Sequence, residues 1–325
     1  MKKIFTVLAC FALVSMTATA QLAQITLMHD GNATMFNANQ TAAALEASAD
    51  GDVLYFTEGS YTGGVTITKR VSLVGVGEGT VINGDLTINL GESSAAMPAH
   101  MLDALQLTGS ITLRSNTNGL KLRKVKFDSF KYINTTTIAT TNCTIDRCFI
   151  NGTMNLSQKV EGMTIISSKI KFLQGMAATA SSATIINCNI YTITNSTSAN
   201  KLLATVMNSI LYGSSSSSWI HKDCVFINCL YRNDYGIQGV VEGGTPTNCW
   251  MSSMASLNTS TLECTTDDET LVGEGFVGTD GTVVGIHGGV APFTLVPSAP
   301  RITESVIKVD PENKQLNVNL KVVAN

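Results

Sequence analysis

Two short segments carry the densest collection of His, Lys, Arg, Asp and aromatic residues in the repeat region: Trp219-Ile-His-Lys-Asp223 and Tyr231-Arg-Asn-Asp-Tyr235. A Lys or His base beside an Arg that neutralises a carboxylate suits proton abstraction next to a uronate group. His221, Lys222, Asp223, Arg232 and Asp234 are therefore the catalytic candidates, although a solvated loop of this composition needs no chemistry. A second set is regular and not reactive. Phe149, Lys169, Asn189, Ile210, Leu230 and Trp250 recur at one spacing, and Asn151, Lys171, Tyr191, Tyr212, Arg232 and Ser252 follow two residues behind each. Aromatic rings offer large contact area and cationic heads bind anions, so such columns suit sugars bearing uronate or sulfate. Lys169, Lys171, Tyr191, Tyr212, Trp219, Arg232, Tyr235 and Trp250 are the candidates for glycan contact. The alternative is an ordinary strand surface covered by a loop or a partner.

A strict repeat must position these residues. Cys148, Ser168, Cys188, Ser209, Cys229 and Cys249 lie 20, 20, 21, 20 and 20 residues apart. Just before them stand Arg147, Ser167, Asn187, Asn208, Asn228 and Asn248; two after them stand Ile150, Ile170, Ile190, Leu211, Tyr231 and Met251. Such a period means one unit stacked on copies of itself. Within it the apolar positions alternate: Cys188 in, Asn189 out, Ile190 in, Tyr191 out. That is the pattern of a strand with one buried face. A strand–helix unit needs roughly 30 residues. This shorter repeat fits three short strands and three bends, one coil of a parallel β-solenoid with ~4.8 Å between coils. Asn tolerates left-handed backbone at a sharp bend, and stacked Asn amides are expected to hydrogen-bond from coil to coil.

Residues 1–20 read as a secretory leader: Lys2 and Lys3, an apolar run from Ile4 to Met16, then Ala18-Thr19-Ala20. Val7-Leu8-Ala9-Cys10 faintly resembles a lipoprotein box, but the apolar run continues past it. No other stretch is long and apolar enough to span a bilayer. Losing Lys2 and Lys3 takes the net charge from −3 to −5. There is no basic stripe, so nucleic acid and anionic membrane are not expected partners. Of eight cysteines, Cys148 and Cys188 share a column about 9.6 Å apart, beyond disulfide reach. Only Cys229 and Cys249 are neighbours, and their Cβ vectors should run parallel, so the column reads better as small side chains stacked in the interior than as a disulfide framework. No Cys-x-x-Cys suggests zinc. No metal or cofactor is expected, with calcium entering only if the chain is a lyase.

Upstream, Gln21–Met35 reads as an extended lead-in and Gln40–Ala47 as a short helix capping the first coil. Strands are expected at Val53–Phe56, Val65–Thr68, Val71–Val74, Val81-Ile82 and Leu86–Leu90, with loops at 91–103 and 115–119. Residues 255–290 are Gly-rich and close the stack. Pro292, Pro297 and Pro300 mark a connector, and Ile302–Val309 with Leu316–Val323 form a hairpin about Asp310-Pro311-Glu312-Asn313. The expected organisation is a leader over 1–20, a solenoid with its cap over 21–290, and a hairpin over 291–325 packing on the solenoid.

Glu46-Ala-Ser-Ala-Asp-Gly-Asp52, Phe56-Thr-Glu-Gly-Ser-Tyr61, Val65-Thr-Ile-Thr-Lys69 and Val71-Ser-Leu-Val-Gly75 resemble the entry segment of right-handed parallel β-helix proteins of the pectin lyase-like superfamily. Gly278-Thr-Asp-Gly-Thr282, Gly285-Ile-His-Gly-Gly289 and Pro292 are similar to the closing segment of secreted Bacteroidetes β-helix proteins. The resemblance implies the fold and leaves activity open, since the superfamily holds lyases, hydrolases, epimerases and tail-spikes. Between residues 129 and 222 the acids are Asp146 and Glu161 alone, too few for grouped carboxylate chemistry. The polygalacturonase pattern is not met: Asp267-Asp268 and His287-Gly288-Gly289 lie in the closing segment without its flanking elements. Gly75-Val-Gly-Glu-Gly79 precedes a strand and so reads as a bend, not a nucleotide loop. The reading is an all-β, right-handed parallel β-helix, exported by a Gram-negative bacterium to its periplasm, surface or surroundings. It contacts a polysaccharide or surface glycan, or scaffolds partners that do, without catalysis. The alternatives are a lyase or glycoside hydrolase of an acidic polysaccharide, and a structural adhesin or stalk.

Overall fold

The computed structural model describes residues 23–90, 101–114, 117–132, 139–156, 159–175, 183–195, 204–212, 224–231, 245–251, 258, 260–262, 268–293, 301–310 and 315–323. It is a parallel β-solenoid with roughly 20 residues per coil. Strands of one sheet, from Val53–Phe56 through Thr144–Asp146 to Thr245–Thr247, pair in parallel register. That register stacks Leu54, Leu73, Leu102, Leu122, Ile145, Ile165, Ile185, Val206 and Phe226 into one buried column. Past the bend, a second column runs Tyr61, Ile82, Leu107, Phe127, Ile150, Ile170, Ile190, Leu211 and Tyr231. A third runs Val65, Leu86, Ile111, Phe130, Met154 and Leu173. Like residues meet like at each level, so the alternation read from sequence becomes a continuous core. The loop expected over 91–103 ends earlier, because a strand begins at Met101 and pairs with Ser72. Thr117–Asn118 likewise joins Ala139–Thr141 and Lys159–Glu161 in a small parallel sheet.

The bend between the first two sheets is left-handed in every coil from Ala104 to Asn248. Ala104, Lys124, Arg147, Ser167, Asn187, Asn208, Asn228 and Asn248 all have φ between 46° and 53°. Asn was expected there, but stacking imposes the same backbone on Ala, Lys, Arg and Ser, which ordinarily pay about 1–2 kcal/mol for it. The turn also leaves the next N–H facing the following coil and not a strand. The Cys/Ser column takes up these donors. Cys148 N–H donates to Ser168 Oγ (3.1 Å), Ser168 N–H to Cys188 Sγ (3.4 Å) and Cys188 N–H to Ser209 Oγ (3.1 Å). Each side chain in turn donates to the carbonyl two residues before it, as from Ser168 to Ile166 (2.8 Å) and from Cys188 to Ile186 (3.2 Å). The column is small, as expected, and it must also donate and accept. All six described cysteines are free thiols.

The N-terminal end is covered by more than a helix. The expected lead-in is a hairpin, Gln24–His29 with Asn32–Asn37. It turns at Asp30-Gly31, both at positive φ (46° and 78°), the conformation a two-residue hairpin prefers. Its first strand then pairs antiparallel with Val53–Phe56, setting Ile25 opposite Phe56 and Leu27 opposite Leu54. Helix α1 (Thr41–Ala47) adds buried Ala44 and Leu45. Lys69 Nζ donates to Glu46 O (2.6 Å) and Ser48 O (2.5 Å), satisfying carbonyls that the helix end leaves open. At the other terminus Arg301–Asp310 pairs antiparallel with Gln315–Val323, matching Val309 with Leu316 and Ile307 with Val318.

Candidate functional site

The strand after the left-handed bend carries the candidate surface, and its upper half gathers cations and rings. Register sets Lys126, Phe149 and Lys169 on consecutive coils. The two ammonium groups lie 5.7 and 5.8 Å from the Phe149 ring centre, within cation–π range. Nearby, Lys171 Nζ is 5.7 Å from the Phe172 ring. Phe172 meets Tyr191 edge-on at 6.4 Å, and Tyr191 stacks on Tyr212 at 5.2 Å with 17° between planes. All seven side chains are half-buried. The tyrosine rings face each other along the stack, so this surface offers ammonium groups, ring edges and phenol oxygens more than open ring faces. Lys126 and Lys169 stand two coils apart, about 9.6 Å by strand spacing.

Lower down, the same outward positions are covered. Asn189, Ile210 and Leu230 were expected to face out; they do point away from the solenoid core, yet all are buried. Helix α2 (Asp268–Gly273) and the segment 276–293 run back along the flank as a strap, with Leu271, Val283, Val284 and Ile286 packed on Ile210 and Leu230. The Asn column holds it there. Asn187 Nδ2 donates to Ile286 O (2.8 Å) and Gly288 O (2.7 Å). Asn228 Oδ1 accepts from Thr279 N–H (3.0 Å), and Asn248 Nδ2 donates to Val277 O (2.8 Å). Coil-to-coil bonding was expected of these amides and is seen between Asn248 and Asn228 (3.2 Å); their further task is to dock the strap.

The structure thus brings Lys169, Lys171, Tyr191 and Tyr212 into one strip and sets Trp250 apart, at the strap. Trp250 is half-buried against Phe276 (5.1 Å between ring centres), and its indole N–H donates to Asn248 Oδ1 (2.9 Å). Trp219, His221, Lys222, Asp223, Arg232, Asp234 and Tyr235 lie outside the described residues. Lys126 and Phe172 belong to the strip and were missed. Lys126 sits 23 residues before Phe149, not 20, although Phe127 aligned with Ile150 would have marked it. Arg123 pairs bidentately with Asp103 in the first sheet, on the other side of the bend. Among the described residues no three His, Cys, Asp or Glu side chains gather as around a metal ion, and no helix is long and apolar enough to cross a membrane. Comparison with protein-family models, with curated proteins and with solved structures found no match.

Proposed function

We propose that this chain is an exported β-solenoid that binds a linear acidic glycan along the Lys126–Phe149–Lys169 and Lys171–Phe172–Tyr191–Tyr212 strip, without acting on it chemically. The observation that carries this reading is the pair of ammonium groups held against one ring, two coils apart, on a rigid sheet. Charges fixed in advance lose little freedom on binding, which favours a repeating polyanion over a single small ion. The strip also has the hydroxyls and ring edges that sugars engage. The leader-like residues 1–20 support export. The resemblance of the entry segment to pectin lyase-like β-helix proteins bears on the fold, and the acidic ligand class is inferred from the ammonium groups of the strip.

The test is a panel of polyuronate, sulfated and neutral polysaccharides applied to the protein lacking residues 1–20. Binding should be confined to the acidic ones and weaken with added salt. Lys126→Ala with Lys169→Ala should lower affinity roughly tenfold, about 1.4 kcal/mol, with an unchanged melting temperature. Equal binding to neutral glycans, or to duplex DNA, would refute an acidic-glycan surface. Release of 4,5-unsaturated product, abolished by Lys222→Ala, would refute the absence of chemistry and favour a lyase.

A further inference from the structure

The Cys/Ser column alternates as Cys148, Ser168, Cys188, Ser209, Cys229, and the next place belongs to Ser by that rule. Cys249 stands there instead, so among the described coils of this column a thiol meets a thiol only here. Trp250 N–H donates to Cys229 O (2.9 Å), locking the two coils in register. Their Cα atoms are then ~4.8 Å apart, inside the span of a disulfide. The partners differ in access: Cys229 is fully buried, while Cys249 is half-buried at the end of the column. The adjoining Cys229 side chain, and after it the Cys229 N–H, hold the Cys249 thiol below the ordinary range, to about 7, while the Cys229 thiol itself donates to Ile227 O (3.4 Å). Burial pushes Cys229 the other way and keeps it protonated.

We propose that Cys249 and Cys229 are a redox site, closing reversibly to a disulfide that ties the last two coils together, with a disulfide compound as oxidant. The Cys249 thiolate attacks one sulfur of that compound. Its S–S bond breaks, one thiolate departs, and a mixed disulfide forms on Cys249. Cys229 gives its proton to the departing thiolate and attacks Cys249 Sγ, expelling the second thiolate, which takes from solvent the proton that Cys249 lost on ionising. Two protein thiols are oxidised and one disulfide is reduced to two thiols. The buried partner thus acts as the resolving thiol, and the accessible one as the nucleophile.

The experiment uses the full chain with Cys10 and Cys264, which lie outside the described residues, replaced by Ser, and oxidised glutathione as the probe. Non-reducing peptide mapping should find a Cys229–Cys249 link in this parent. Cys229→Ser should stop at a glutathione adduct on Cys249, and Cys249→Ser should form none. Ser already serves this column at positions 168 and 209, so both variants keep its hydrogen bonds, and matching circular dichroism would confirm their folding. Alkylation of the native parent should show one fast thiol, its rate rising through a midpoint below that of a free cysteine. A parent that holds the adduct as persistently as Cys229→Ser would overturn the proposal, because the pair then cannot close. Undiminished alkylation in Cys249→Ser would overturn it as well.

Discussion

At the left-handed corners of Arg147, Ser167 and Asn187 one backbone N–H is satisfied by a side chain from the next coil, which makes the Cys/Ser column a place where single atoms matter. Ser209→Ala removes the acceptor of the Cys188 N–H and leaves a buried donor unpaired, at a cost of about 1–3 kcal/mol. Ser209→Cys should stay within about 1 kcal/mol of wild type, since a thiol fills the same role at positions 188 and 229. Denaturant midpoints of the two variants check this ordering. Burial also pushes the Cys143 thiol up to about 11 and those of Cys148 and Cys188 to about 12. A thiol that ionises harder in the folded state stabilises fully below its unfolded value near 8.5. That contribution fades as pH rises through the folded values. Melting temperature should therefore fall steeply above about pH 9, and less steeply in Cys188→Ser. The column's smallness was legible in the sequence; its double hydrogen-bonding duty was not, because periodicity shows where a side chain points and not which backbone group it must serve.

The strap is the element whose position the sequence concealed. Residues 255–290 read as a closing segment, but a stretch with no period has no register, so nothing in it announced that it docks on the flank. Its anchor was visible only as a bend former, since the Asn column serves the turn and the strap with the same residues. By contrast the coils themselves, the helix and the C-terminal hairpin were legible, each carrying its own period or turn signal. Gly289 tests the docking. It lies at φ +78°, and an added Cβ would fall 2.2 Å from Asn208 Nδ2, so Gly289→Ala should loosen the strap. Asn187→Ala should do likewise by deleting two hydrogen bonds to strap carbonyls. In both variants the Gly285 amide, which donates to Asn228 O (3.0 Å), should exchange faster with solvent and an apolar dye should bind over Ile210 and Leu230. Protection in the first sheet should persist.

For the molecule as a whole, one hydrophobic cluster runs from Ile25 to Tyr231, so damage at its middle has nowhere to be contained. Ile190 is fully buried there, stacked between Ile170 and Leu211. Ile190→Asp should cost roughly 4 kcal/mol or more and yield aggregated protein; a melting temperature within a degree or two of wild type would contradict the inward assignment. Deleting residues 296–325 asks a different question. A two-stranded ribbon is marginal by itself: a truncated chain that aggregates would mark the ribbon as a cover for the stack, and one that stays monomeric and equally stable would mark it as no cap. The strap has one more consequence, which concerns force. Pulled along its axis, a bare stack of parallel coils should come apart one rung at a time, because each rung holds only its neighbours. The strap is fastened at Asn187, Asn228 and Asn248 and so runs along that direction of pull like a splint. In an optical trap the coils before Asn187 should release in small, even steps, and the splinted block should hold and then give way in one larger rupture. Gly289→Ala should turn that rupture back into steps.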